Sequence, residues 1–173
     1  MIINASPLII LGKLNKISIL KKIYSSIEIT NGVYQEVVVN GIKKKSRDAF
    51  IVKEHISNKD IKVVGLNQKF TDKAEKIQFI YNIDIGEAET IALALQSNKK
   101  DIVIDEISAR EAAKAFGIKP IGTLRILLIA YKNGFINEAE VKETINEMEN
   151  SKYRFSPSVL IEFWNLFEKI RKG

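Results

Sequence analysis

The chain has no cysteine in 173 residues, which excludes disulfides and thiolate metal sites. It has one histidine, His55, so a multi-histidine zinc centre is excluded as well. No run of about 18 uninterrupted apolar residues occurs, and no membrane span is expected. The opening Met1-Ile2-Ile3-Asn4 reads as a strand, unlike the charged and then apolar start of a secretory signal, so a cytoplasmic protein is expected. No internal repeat or low-complexity segment stands out. No Gly-x-Gly-x-x-Gly loop follows an expected strand, which leaves a dinucleotide-binding reading without support.

What the chain does have is size, apolar content and positive charge. Its length suits one domain, and 46% hydrophobic residues is enough to build a core. Lysine and arginine exceed the acids by 27 to 21, giving a net charge of +6 and a pI of about 9.4. That excess favours an anionic partner, with nucleic acid foremost, although a generally lysine-rich proteome gives the same balance.

Apolar β-branched runs alternate with amphipathic ones. Ile2-Ile3, Ile27 to Ile29, Ile61 to Val64, Ile102 to Ile104 and Lys119 to Ile121 read as strands. Ser6-Pro7 reads as a helix start, with serine as N-cap, and Gly12 as its end or bend. Helices are expected over Ile17 to Tyr24, Val33 to Val39, Ala49 to His55, Ala74 to Tyr81, Glu87 to Gln96, Ile107 to Phe116 and Leu124 to Tyr131. Glu138 to Met148 and Ser158 to Ile170 add two more. Strand-helix alternation predicts an α/β fold, with a mostly parallel sheet between two helical layers. In the last helix, Ile161, Trp164, Leu166, Phe167 and Ile170 either close the core or dock a partner.

Two carboxylates mark a candidate site. Glu87 opens a strongly apolar helix, and Asp105, 18 residues on, follows a short strand. In open α/β sheets, ligands bind beyond the carboxyl ends of the strands. Carboxylates gathered there hold hard cations such as Mg²⁺ or Mn²⁺. Asn4 follows the first strand as Asp105 follows the fourth, and Ser6 lies two residues beyond. Glu36 sits within Val33-Tyr34-Gln35-Glu36-Val37-Val38, where an acid among apolar residues is either functional or solvated. Glu89 is two residues from Glu87, so it is expected on a different face, toward solvent. Arg110 reads as a surface charge or as a partner for an acid, and Thr123 as a cap or a cleft hydroxyl. Lys43, Lys44, Lys45 and Arg47 form a basic cluster that either steers RNA or is simply solvated.

The order Asn4-Ala5-Ser6-Pro7, Val33 to Val37, Gly86 to Ala94 and Ile104-Asp105-Glu106 resembles PIN-domain proteins. More narrowly, it is similar to the VapC-like branch known as DUF3368. Arg110 and Gly122-Thr123-Leu124 match that branch too, as does the tail from Tyr153 to Ile170. The resemblance implies a three-layer sandwich with strand order 3-2-1-4-5. It implies a PIN-like core over 1–134 and a helical extension over 135–173 packed on the same domain.

The activity it implies is Mg²⁺- or Mn²⁺-dependent RNA hydrolysis by a toxin that a small antitoxin protein restrains, in a homodimer. The site it implies is Asn4, Glu36, Glu87 and Asp105, with the metal on the three acids. Ser6, Thr123, Arg110, Lys44 and Lys45 are then substrate contacts. Asn4 replaces an aspartate usual in the family and Glu87 another. The first change removes a charge, so a catalytically degenerate RNA- or protein-binding module is the alternative.

Overall fold

The computed structural model describes residues 1–151 and 153–172. Lys152 and Gly173, both inside the expected 135–173 extension, lie outside the described residues. The chain divides into two units, Met1–Gly122 and Thr123–Gly173. Leu124 to Tyr131, which the sequence reading includes in the core, falls in the second.

The first unit holds five strands: β1 Ile2–Ile3, β2 Ile27–Thr30, β3 Ile61–Val64, β4 Asp101–Val103 and β5 Lys119–Ile121. They form one parallel sheet in the order β3-β2-β1-β4-β5. Position in the sheet follows composition. Central β1 and its neighbour β4 pair Ile2 with Ile102 and Ile3 with Val103, and all four side chains are fully buried. Strands covered on both faces need such unbroken β-branched residues. Each isoleucine of β1 contributes about 1.5–3 kcal/mol by its burial. Edge strand β3 leaves Lys62 and Val63 exposed, and a charge on an edge discourages pairing with another chain.

Helices α1 Ala5–Lys13 and α2 Ile17–Ile23 follow β1. The N-cap position of α1 is Asn4, in extended conformation, and Ser6 is already inside the helix. The expected Ser6 cap is therefore displaced by two residues, because β1 runs straight into the helix. Pro7 still fits, since N–H groups of a first turn have no intrahelical acceptor to lose. Gly12 does not end α1 either. It lies in close contact with the next helical layer, where a Cβ would come within 3.0 Å of the Asp48 Cβ. The helix stops past Lys13, where Asn15 takes a positive φ of 54°.

After β2, Thr30 caps α3 Asn31–Tyr34 by accepting a bond from the Val33 N–H at 3.2 Å. The helix then widens into a π-helical stretch, Gln35–Asn40, and continues as α4 Gly41–Lys43. A helix was expected here, but not its widened turn. The wider turn accommodates burial of two consecutive residues, Val37 and Val38. Helix α5, Arg47–Ser57, packs against α1 and the π-helical stretch.

On the β4 side, α6 Gln68–Tyr81, α7 Ile85–Gln96 and α8 Ile107–Ala115 pack on one another. Their alanines and isoleucines, including Ala74, Ile77, Ala88, Ile91, Ala109 and Ala112, share one core with Ile2, Ile102 and Ile104. Gly117, with φ +71°, ends α8 as the sequence predicts.

The second unit contains α9 Thr123–Lys132, α10 Glu138–Asn150 and α11 Pro157–Lys172. Asn137 and Glu140 form a reciprocal capping box on α10, with bonds of 2.9 and 2.8 Å. Phe163 and Phe167 of α11 are buried, and Phe167 lies 4.6 Å from the Tyr131 ring of α9. Ile161, expected on the apolar face, is 63% exposed. It sits two residues from Phe163 and so turns to another side of the helix.

Candidate active site

Adjacent parallel strands β1 and β4 carry the chain to the sheet's carboxyl edge at the same place. The Asn4 N–H donates to the Val103 carbonyl at 2.9 Å, so Asn4 leaves the sheet beside Ile104, one residue before Asp105. This is the point where strand order reverses, and such points host ligands in open α/β sheets.

Asn4 is buried. Its Nδ2 donates to the Thr90 hydroxyl at 3.2 Å, and that hydroxyl donates to the Gly86 carbonyl at 2.7 Å. The amide of Asn4 is thus tied to α7. An ionised aspartate could not donate this bond, so asparagine suits the position for a reason of its own. Ser6 is half-buried two residues further along, in the first turn of α1.

Glu87 has two roles. It is the third residue of α7, and its carboxylate accepts from the Asp84 N–H at 3.0 Å, closing the helix N-terminus. Desolvation is the chief reason its carboxyl lies above the usual range. The Asp84 N–H opposes that rise, while the charges of Asp84, Glu106 and Glu36 add to it.

Glu36 reaches the same place from the π-helical stretch. Its Oε2 lies 3.5 Å from where a Cβ on Gly86 would be, an ordinary contact distance that sets the carboxylate beside the first turn of α7. Its carboxyl is also raised, first by desolvation and then by Asp84, with Lys44 acting in the opposite direction.

Asp105 takes a different setting. Its Oδ1 lies 3.2 Å from the position of a Cβ on Gly122, and Arg110 Nη1 lies 3.4 Å from the same point. Arg110 also donates to the Ile104 carbonyl at 3.0 Å, which holds the guanidinium beside the β4 exit. Thr123 begins α9 in the second unit, where it is buried. Lys44 and Lys45 are exposed at the end of α4.

Sequence reasoning missed four contributors. Asp84 and Glu106 belong to the electronegative cluster, Thr90 holds Asn4, and Gly86 is the α7 residue beside which Glu36 lies. Asp84 was readable, because Asp-x-x-Glu ahead of an apolar run is a capping-box signature. Glu89 corrects an expectation: it is half-buried and accepts the Gly32 N–H at 2.8 Å, tying α7 to the start of α3. The expected solvent-facing position took no account of that backbone donor.

Among the described residues, no three His, Cys, Asp or Glu side chains gather closely enough to hold a metal ion. The donor chemistry nonetheless suits a hard divalent cation, being oxygen only. Desolvation, with the charge of Asp84 added, raises both Glu36 and Glu87, and a bound cation relieves both effects.

A parallel sheet in this order, with acids at its switch point, defines a class of α/β protein that works at its carboxyl edge. The PIN-domain family DUF3368 matches residues 1–169, so the chain belongs to the PIN-domain family, whose members are typically nucleases. The match runs on through the tail beyond residue 134. No curated protein matches the chain. Among the described residues, no helix is long and apolar enough to cross a membrane.

Proposed function

We propose that this chain is a Mg²⁺- or Mn²⁺-dependent ribonuclease, the toxin of a toxin-antitoxin pair acting in the cytoplasm. The observation that carries the reading is the gathering of Glu36 and Glu87 at the switch point, both raised by desolvation and by the charge of Asp84. Isolated surface acids have no reason to be placed in that relation.

Glu36, Glu87 and Asp105 are the carboxylates that would hold the cation, closing on it from the wider spacing they have here, with Asn4 offering its carbonyl oxygen. A divalent ion, when bound, neutralises phosphate charge and acidifies water. The chain's own part is positional. The Asp84 N–H fixes Glu87, Thr90 fixes Asn4, and the Ile104 carbonyl fixes Arg110, where its cation can meet a phosphate oxygen. Ser6 would orient water or phosphate, and Lys44 and Lys45 would draw in the RNA backbone. A small antitoxin presenting an arginine would match the acids in charge, and a homodimer is the assembly we expect.

The second reading is a PIN-fold module that binds RNA or protein without cleaving it. Asn4 favours it, because an asparagine already bonded to Thr90 contributes no charge to a cation.

Cleavage of a mixed structured RNA pool with Mn²⁺, Mg²⁺ or EDTA decides between them, with Asp105→Asn and Asn4→Asp beside the parent chain. Metal-dependent cleavage by the parent, lost in Asp105→Asn, is the expected result. Cleavage by Asn4→Asp alone would make the natural site a degenerate one. Silence from all three would favour the binding module.

A further inference from the structure

Helix α6 presents three faces, and the core uses only one of them. Phe70, Ala74, Ile77 and Tyr81 recur at helical spacing and turn inward, with Ala74 and Ile77 fully buried. Lys69, Lys73, Lys76 and Ile80 recur at the same spacing on the next face. They form a basic stripe about 17 Å long that ends in an apolar residue. None of these three lysines makes an ion pair among the described residues. Lys69 and Lys73 lie 5.7 and 5.4 Å from the ring centres of Phe70 and Phe116, so both ammonium groups stand against aromatic rings.

The stripe leads to the acids. Helix α6 ends at Tyr81, three residues before Asp84, whose charge acts on both Glu36 and Glu87. Large apolar side chains are left open around that end. Phe79 is 88% exposed, Ile80 68%, and Ile107, next to Glu106, 72%.

A cluster of acids repels the phosphates of any nucleic acid brought to it. Substrate must therefore be held by cations outside the cluster and by uncharged contacts close to it. Three lysines without ion pairs and, about 100° round the helix from Ile80, the exposed Phe79 ring supply both.

We propose that a single strand of RNA lies along α6, with its backbone on Lys69, Lys73 and Lys76 and a base stacked on Phe79. In that position the strand passes to the Glu36–Glu87 pair. The inference rests on the nuclease reading for its direction, but its binding test does not depend on cleavage.

Fluorescence anisotropy with a labelled oligouridine, in EDTA, isolates binding. Replacing Lys69, Lys73 and Lys76 together by Gln should weaken affinity about tenfold or more and reduce the log-log salt slope by about 2. Replacing exposed Lys13, Lys53 and Lys62 by Gln removes the same charge elsewhere and should leave most of the slope in place. Phe79→Ala should weaken binding roughly fivefold or more without changing the slope, and Phe79→Tyr should restore it.

Equal losses from the two lysine triples would overturn the proposal, as would no binding by the parent chain. Unchanged RNA affinity in Phe79→Ala, with a dimer lost in sedimentation velocity, would overturn it in favour of a second copy on that face. Failure of cleavage while this binding pattern holds would sink the nuclease reading and leave the RNA track standing.

Discussion

Two groups of acids in the first unit are treated in opposite ways. Asp60 sits between Lys21 at 2.6 Å and His55 at 2.8 Å, and these partners hold its carboxyl below the usual range. Glu36 and Glu87 face acids, and their carboxyls are raised. The first group ties α2 and α5 to the turn before β3 and favours the fold. The second opposes the fold at neutral pH, although Glu87 recovers part of that as a helix cap. Acids arranged at a cost to stability are where chemistry is to be sought.

The strongest way to break this contrast is at Glu87. Glu87→Gln keeps an acceptor for the Asp84 N–H and removes the charge. RNA cleavage should fall at least about a hundredfold while the melting temperature holds or rises. A large loss of stability instead would make Glu87 a structural acid like Asp60.

Asp60→Ala should do the reverse, costing about 2 kcal/mol in urea unfolding with cleavage retained. The pH dependence follows from the depressed carboxyl. The stabilisation is complete above the ordinary aspartate value of 3.8 and disappears as pH falls through the lower folded value. The gap between parent and variant should therefore close only in strong acid.

Thr90→Val leaves the Asn4 amide without its acceptor in a buried place. A loss of about 1 kcal/mol is expected by the same unfolding assay. An unchanged stability would show that Asn4 is held by its backbone alone.

The smallest effect is at Glu36. Because its folded carboxyl is raised, the penalty is full above that folded value and vanishes below the ordinary 4.5. Glu36→Gln should gain a few tenths of a kcal/mol at pH 7, since the side chain is largely solvated, and nothing near pH 4. Equal gains at both values would place the effect outside the acidic cluster.

The inner strands β1, β2 and β4 were legible because buried β-branched residues leave little else for those segments to be, whereas edge strands β3 and β5, partly exposed, were legible from their alternation with helices. Strand order came from the family resemblance, since periodicity says nothing about which strands are neighbours. Helix starts were less legible. The expected beginning of α6 at Ala74 fell short because Gln68 to Lys73 is mostly polar, and only the Asn67 cap, bonded to Phe70 N–H at 3.2 Å, marks the true start. Asn4 was read as a site residue, but its bond to Thr90, 86 positions away, has no local signal. Glu89 was misplaced for the same reason, its partner being a backbone N–H in another helix.

The π-helical stretch closes each turn around one residue more than an α-helix does. Glu36 lies at its beginning, and Lys44, whose charge favours the ionised form of Glu36, lies beyond its end. A π-helical turn takes in one extra residue without changing the phase of what flanks it. Deleting one residue between Glu36 and Lys44 should therefore let the segment wind as an ordinary α-helix while Lys44 keeps its direction relative to Glu36. Length here is a tolerated variable, and the charge pair should survive the loss of one residue from this helix.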